Sequence, residues 1–131
     1  MKIKTGIDII EVERVKNAIE EHGETFLNKV FTQNEINYCK DTKKLMYQHY
    51  AVRFAAKEAV FKAISDLLDD KYEIEWNNIE TLVSKEGKPK VNFVNLNDKL
   101  SNRLSKIQSM DISLSHIEKT AVASVCMIID E

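Results

Sequence analysis

The sequence predicts a single α+β domain in which an antiparallel sheet packs on a long central helix. Strand patterns occur at both ends of the chain and in its middle, and a long stretch of helix formers without Gly or Pro lies between them. There are no repeats or linker-like segments, and 131 residues with 44% hydrophobic content suit one compact core. We therefore expect one domain over residues 1–131.

The N-terminal third predicts one strand followed by short helices. Residues 2–10 alternate as a half-covered strand does, with three isoleucines on one side and Asp8 on the other. Residues 11–22 have helical spacing and end at Gly23, and a second short helical piece follows. Thr32 and Glu35 form a capping-box pattern for a third helix that ends near residue 41.

Residues 43–68 predict the long central helix, with Thr42 as its candidate N-cap. Residues 72–84 and 91–94 then predict a hairpin about a glycine turn. Helical spacing returns over residues 96–107, where asparagines at the start could provide a cap. A second hairpin, from residues 111–115 and 121–129, completes the predicted domain.

Charge and cysteine content exclude several classes of protein. The formal net charge of −2, from 19 basic and 21 acidic side chains, gives no drive toward nucleic acid or anionic membranes. We expect no nucleic-acid or membrane partner, because no stretch approaches a membrane span either. Cys39 and Cys126 are far apart and suggest neither a zinc site nor a disulfide, so a cytoplasmic location fits best.

The central helix carries charges where its pattern is apolar. On a helical wheel, Glu58 and Lys62 fall within a face outlined by aromatic and alanine side chains. Arg53 and Lys57 fall on a narrow edge, which we interpret as the solvated side of the helix. A buried charge needs a compensating partner, so the apolar surroundings of Glu58 and Lys62 require an explanation.

Two explanations of this pair are open. Glu58 and Lys62 could form an ordinary solvated pair four residues apart on a helix. Alternatively, Glu58 could bind a divalent cation while Lys62 reaches a phosphate, since magnesium accepts one or two protein carboxylates and completes its shell with phosphates and water. Asp8 is the candidate second ligand, with Gly6 leaving room beside it, although Asp8 could also be an exposed strand residue.

Four sequence segments resemble those of the holo-acyl-carrier-protein synthases, and they occur in the same order. They are Gly6–Glu11 with Arg14, Arg53–Ala63 (RFAAKEAVFKA), Gly87–Pro89 and Ser113–His116. The resemblance spans nearly the whole chain. It implies a 4′-phosphopantetheinyl transferase-like fold of the short type that assembles as a homotrimer.

The resemblance also implies an activity in fatty acid biosynthesis. Coenzyme A would donate 4′-phosphopantetheine to a serine of an apo acyl carrier protein, with release of adenosine 3′,5′-bisphosphate. Asp8 and Glu58 would hold Mg²⁺ on the diphosphate, and Lys62 would offset phosphate charge. As a hypothesis, Glu58 removes the serine proton directly or through a water held by the metal.

Further residues receive roles from the same resemblance. Arg53, Gly87, Pro89 and His116 would contact the coenzyme A nucleotide across a subunit interface, although Gly87 to Pro89 could equally be an ordinary turn. His116 could likewise be a merely capped or exposed histidine. Arg14, on the first helix, is the candidate contact for the carrier protein.

The chain departs from the family pattern at three positions. Ser65 and Asp66 replace a glycine-containing turn, and Ile117 replaces a threonine. These changes put local phosphate contacts in question. Two other functions stay open. Asp8, Glu58 and Lys62 would equally serve a magnesium-dependent hydrolase of a nucleotide diphosphate, and these departures allow a non-catalytic coenzyme A-binding homologue.

Overall fold

The computed structural model describes residues 1–130, which form the single α+β architecture that the sequence predicts. The strands are β1 (Lys2–Glu11), β2 (Ile79–Val83), β3 (Pro89–Phe93), β4 (Ile107–His116) and β5 (Thr120–Ile129). The α-helices are α1 (Val12–His22), α2 (Glu24–Val30), α3 (Gln33–Asp41), α4 (Met46–Ile64) and α5 (Asp98–Leu104). Short 3₁₀ turns occupy Lys43–Leu45, Ser65–Leu67 and Trp76–Asn78.

The antiparallel sheet that packs on the central helix has three strands in the order β1-β5-β4. Both neighbours pair antiparallel with β5, so Val125 lies opposite Gly6 on one side and Ile112 on the other. Strands β2 and β3 form a separate two-stranded hairpin. Helix α4 packs on β1 and β5, and the core surrounds it.

The predicted end of α1 and the predicted N-terminal caps of α3 and α5 are confirmed. Gly23 terminates α1 with a φ of +57°, a conformation that glycine adopts without steric cost. Thr32 and Glu35 form the capping box of α3: the Glu35 carboxylate accepts from the Thr32 backbone N–H at 2.9 Å. Asn97 likewise caps α5, with its side-chain oxygen accepting from the Leu100 N–H at 2.8 Å.

Helix α4 is shorter than predicted, and Thr42 does not cap it. The Thr42 hydroxyl instead donates backward to the Cys39 carbonyl at 2.7 Å, which closes α3. Lys43 then has a positive φ of 51°, so the chain turns before α4 begins at Met46. The first predicted hairpin is also shorter, because residues 72–78 form turns rather than strand.

The two sides of β1 are covered in the opposite way from the prediction. Ile3, Ile7 and Ile9 are 67%, 63% and 69% exposed, while the Gly6 side packs against α4. A Cβ atom on Gly6 would lie 1.9 Å from the Ala59 carbonyl oxygen. Gly6 therefore permits close contact between strand and helix, which corrects the interpretation that it leaves room for a ligand.

The structure also bears on the predictions about membrane spans and cysteines. Within residues 1–130, no helix is long and apolar enough to cross a membrane. Cys39 is buried and Cys126 is exposed on the sheet, and both are free thiols. Burial raises the pKa of the Cys39 thiol to about 12, so this cysteine stays protonated.

Candidate active site

The structure brings Asp8, Glu58 and Lys62 together where β1 crosses α4. The Lys62 ammonium lies 3.3 Å from the Asp8 carboxylate and donates to the Ile7 carbonyl at 2.8 Å. Asp8 and Glu58 both line a cavity of about 410 Å³. The strand thus supplies one carboxylate and the helix supplies the other carboxylate and the cation.

Glu58 is electrostatically unsatisfied in this arrangement. Burial raises the pKa of Glu58, the negative charge of Asp8 raises it further, and Lys62 opposes the shift. Within the described chain, the ion pair of Lys62 is with Asp8 and not with Glu58. The solvated Glu58–Lys62 pair is therefore not what this structure shows.

The donor set fits a magnesium ion that relies on its substrate for most ligands. Residues 1–130 contain no group of three or more His, Cys, Asp or Glu side chains able to hold a metal. Two hard oxygen donors beside an open cavity match the preference of Mg²⁺ for few protein carboxylates plus phosphates and water. Burial is the main cause of the raised pKa of Glu58, and a cation between Asp8 and Glu58 would remove the further contribution from their repulsion.

The edge of α4 that carries Arg53 and Lys57 is not solvated, contrary to prediction. Arg53 is 2% exposed and Lys57 is completely buried. The Lys57 ammonium donates to the Glu35 carboxylate at 2.8 Å and to the backbone carbonyls of Trp76 and Ile79. The partners come from distant parts of the chain, so a helical wheel gives no sign of them.

Glu58 also lines a second, larger groove. We call it the aromatic groove; its volume is about 670 Å³ and its lining comprises Lys29, Glu58, Phe61, Lys71, Tyr72, Ile74, Glu75 and Trp76. The Trp76 ring packs on Phe61 at a centroid distance of 5.7 Å. Sequence reasoning missed this groove, and its one signal was the cluster of Tyr, Ile and Trp over residues 72–76.

Arg14 lies on α1 and lines the 410 Å³ cavity with Asp8 and Glu58. Phe26 of α2 and Phe54 of α4 provide apolar walls of the same cavity. The predicted carrier contact therefore borders the carboxylate pair. Glu58 lines both this cavity and the aromatic groove.

A third cavity, here called the nucleotide cavity, has a volume of about 420 Å³ and gathers Arg53, Gly87, Pro89 and His116. The Arg53 guanidinium stacks on the Tyr38 ring, 4.3 Å from its centroid. The His116 Nδ1 atom contacts the Gln48 side-chain oxygen at 2.7 Å. The four residues that sequence resemblance assigned to a nucleotide thus share one cavity.

The departures from the family pattern have local explanations. Asp66 forms an ion pair with Lys4 of β1. The hydrogen bond that the Lys4 ammonium donates in this pair lowers the pKa of Asp66. The Ser65 hydroxyl donates to the Lys62 carbonyl at 2.9 Å and so closes α4. Ile117 is 68% exposed in the β4–β5 turn. The negative charge added by Asp66 is therefore offset by a neighbouring lysine.

A strand carboxylate, a helix carboxylate and a lysine beside open cavities are typical of enzymes that handle phosphate groups on a divalent metal. The chain belongs to the 4′-phosphopantetheinyl transferase superfamily, whose family profile matches residues 4–126. It is 43% identical over 125 residues to a holo-[acyl-carrier-protein] synthase of Ruminiclostridium cellulolyticum, covering 94% of this chain and 90% of the relative.

Solved structures agree with this assignment. A holo-(acyl-carrier-protein) synthase from Bacillus anthracis in complex with CoA (3′,5′-ADP) is 30% identical, with a TM-score of 0.74 over 95% of this chain and 94% of that one. The Helicobacter pylori synthase in complex with coenzyme A is 26% identical, with a TM-score of 0.75 over 95% and 99% of the two chains. The family expected from the sequence is confirmed.

Proposed function

We propose that this enzyme transfers 4′-phosphopantetheine from coenzyme A to a serine of an apo acyl carrier protein, with Mg²⁺, in fatty acid biosynthesis in the cytoplasm. The observation that carries the proposal is the convergence of Asp8, Glu58 and Lys62 in a chain of this family. The names of the relatives, together with coenzyme A in two solved neighbours, support the same substrates.

The reaction exchanges a phosphoanhydride bond of coenzyme A for a phosphate ester bond to serine. The serine oxygen bonds to the phosphorus that carries pantetheine, and the bridging P–O bond of the diphosphate breaks. Adenosine 3′,5′-bisphosphate leaves with the bridging oxygen, and the serine proton goes to a base, for which Glu58 is our candidate. When bound, the metal neutralises charge on the diphosphate, so the protein needs chiefly to position the reactants.

Each residue of the site has a task in this scheme. Asp8 and Glu58 hold the cation, while Lys62 is placed to move from Asp8 to a phosphate oxygen. The aromatic groove suits the long, uncharged pantetheine arm, because apolar and aromatic side chains form half of its lining beside Glu58. The carrier serine then approaches through the Arg14 side, where one basic residue borders the cavity.

The remaining anion of coenzyme A is the 3′-phosphate, a monoester. The nucleotide cavity suits it, because Arg53 and His116 line the cavity and none of the carboxylates that the structure describes does. We assign Gly87 and Pro89 to the nucleotide there, with Pro89 presenting an uncharged wall and Gly87 a φ of +81° in the turn.

The homotrimer in this proposal has a candidate interface on the outer sheet face. This face comprises Ile3, Ile7 and Ile9 of β1 with Val122, Cys126 and Ile128 of β5. Such a row of exposed isoleucines is a patch that soluble proteins normally cover. Light scattering should give a mass three times 15.1 kDa, and Ile7→Glu should lower it. Ser101→Glu, on the exposed side of α5 and off the sheet, should leave the mass unchanged.

The transfer itself is tested by weighing a carrier protein. The protein is incubated with coenzyme A, Mg²⁺ and an apo acyl carrier protein, and the carrier is analysed by mass spectrometry. We expect a mass gain of one phosphopantetheine that disappears with EDTA and in Asp8→Ala and Glu58→Ala. Phosphate-ester product without carrier would instead support the hydrolase, and an unchanged carrier with intact coenzyme A the non-catalytic homologue.

A further inference from the structure

The nucleotide cavity contains a histidine that lies outside every motif of the sequence. His49 lies on α4 one turn before Arg53 and lines the cavity with His116. Its ring packs edge-on against His116, at a centroid distance of 5.1 Å, and lies 5.7 Å from the Tyr38 ring. The His49 backbone carbonyl also accepts from the Arg53 guanidinium at 3.3 Å. His49 is thus in contact with Arg53 and His116, two of the four residues assigned to the nucleotide.

Polar atoms in this cluster lack hydrogen-bond partners. In the described part of the chain, Arg53 Nε and Nη2 and His49 Nδ1 are buried and make no hydrogen bond. Arg53 is only 2% exposed, and it lines the cavity. Buried donors of a charged group are normally satisfied, so we expect a ligand in the cavity to supply acceptors for the two Arg53 nitrogens.

The charges around His49 indicate that the ligand is an anion. Arg53 comes from α4, His116 from β4 and Tyr38 from α3, while the β2–β3 hairpin contributes only the uncharged Val83, Gly87 and Pro89. Among residues 1–130, no carboxylate lines the cavity. Burial lowers the pKa of His49, and the charges of Arg53 and His116 lower it further. An anion placed beside Arg53 would cancel that repulsion and favour the imidazolium.

We propose that His49 is a specificity-determining residue for the phosphate monoester of the nucleotide, and that it takes up a proton from solvent when this group binds. No covalent bond changes. The proton moves from buffer to the imidazole, which then donates a charge-assisted hydrogen bond to the phosphate. The identity of the ligand rests on the proposed function, whereas the coupling between anion and proton rests on the cluster itself.

Calorimetry of adenosine 3′,5′-bisphosphate binding tests the proposal from pH 6.0 to 8.5, in two buffers that differ in ionisation enthalpy. The matched variant is His49→Phe, which keeps a flat ring and removes both nitrogens. We expect the ratio of wild-type to variant affinity to be about tenfold at pH 6.0, equivalent to a pKa change of about one unit, and close to one at pH 8.5. Because both proteins bind the same phosphate, the titration of the phosphate itself cancels in the ratio of the two affinities.

Net proton uptake should be larger for the wild type than for His49→Phe at pH 7. Coenzyme A should show this difference and dephospho-coenzyme A, which lacks the monoester, should not. A ratio that is the same at both ends of the pH range, or equal uptake by the two proteins, would overturn the proposal. His49→Gln guards against a packing defect, because its amide cannot titrate and it too should abolish the pH dependence.

The two proposals fail in different ways. If the carrier gains no mass but the affinity ratio still varies with pH, the transfer is wrong and the proton-coupled monoester site stands. If the carrier is modified and the ratio is flat, the transfer stands and the role of His49 is wrong. His116→Gln, tested in the same way, separates the contribution of its own imidazole from that of His49.

Discussion

Helix α4 carries two lysines five positions apart that have opposite surroundings. Lys57 is fully buried, and its ammonium donates to the Glu35 carboxylate at 2.8 Å, to the Trp76 carbonyl at 3.1 Å and to the Ile79 carbonyl. Lys62 has a side chain that is 52% exposed, and it contacts one carboxylate and one carbonyl. All three donors of Lys57 are used, whereas Lys62 keeps capacity for a ligand.

The carboxylates repeat this difference. Glu35 accepts from Lys57, from the Thr32 N–H and from the Thr81 N–H at 3.0 Å, so both its oxygens are satisfied. Glu58 faces Asp8 instead, and its pKa is raised. The Lys57–Glu35 pair is saturated, meaning that all three ammonium donors and both carboxylate oxygens have partners, and it holds three elements together. The charges of the candidate site are unsaturated, so they can bind a cation and phosphate. Completeness of partners, rather than burial, distinguishes the structural pair from the candidate site.

The largest effect on stability should come from breaking the saturated pair. Lys57→Met leaves the Glu35 carboxylate buried without its cation, and we expect unfolding to become easier by about 3–5 kcal/mol. Urea denaturation at a fixed protein concentration measures it. In the double variant with Glu35→Gln, the loss should be smaller than the sum of the two single losses. Strict additivity would show that the pair is not coupled.

Removing a charge from the unsaturated candidate site should not destabilise the protein, in contrast to the loss of Lys57. Glu58→Gln removes a carboxylate that Asp8 repels, so the metal-free protein should melt at the same temperature or slightly higher. Turnover should fall by about 10²- to 10³-fold, because a charged ligand to the reacting diphosphate is lost. The exposed Glu24→Gln is the control for charge alone. Near-normal turnover at saturating Mg²⁺ would rule Glu58 out as the base.

The sequence predicted the parts of the structure that depend on near neighbours. The capping box at Thr32 spans three residues, and the hairpin at Gly87 is marked by its own turn, so local patterns were sufficient. The burial of Lys57 was not predictable, because Glu35 lies 22 residues away and only the fold brings it near. The covered side of β1 was mistaken for the same reason.

The candidate site shows the same limit. Asp8, Glu58 and Lys62 could be selected because two of them share a helix and the third lies on an alternating strand. The aromatic groove and His49 were missed, because their significance depends on contacts such as Trp76 with Phe61 and His49 with His116. Lining residues from four different elements leave no spacing that a sequence pattern can register.

Helix α4 carries residues of both regions, and Gly6 tests how β1, with Asp8, packs on it. Gly6→Ala would place its Cβ atom 1.9 Å from the Ala59 carbonyl, so β1 must move away from α4 at a cost of about 1–3 kcal/mol. Turnover should fall as well, because Asp8 moves with the strand. Gly23→Ala is the control. The φ of Gly23 is +57°, but a Cβ atom placed there would meet no atom within 4 Å among the described residues. Stability should therefore fall while turnover is kept. Full activity of folded Gly6→Ala would contradict this placement of Asp8.

The smallest effect concerns Glu73 and Arg103, a pair that is saturated like Lys57 and Glu35 but lies near the surface. Hydrogen bonds from Arg103 and from the Asp69 N–H lower the pKa of Glu73 from 4.5 to about 2. A lowered carboxyl pKa contributes stability above pH 4.5 that is lost as the pH falls toward 2. The stability difference between wild type and Arg103→Met should therefore shrink steadily from pH 5 to pH 3, as followed by urea denaturation. Arg103→Lys, which keeps the charge but not the two-pronged contact, should give an intermediate difference at pH 7. A difference independent of pH would mean that the contact stabilises the protein through packing, and saturation by hydrogen bonds would then matter only where solvent is excluded.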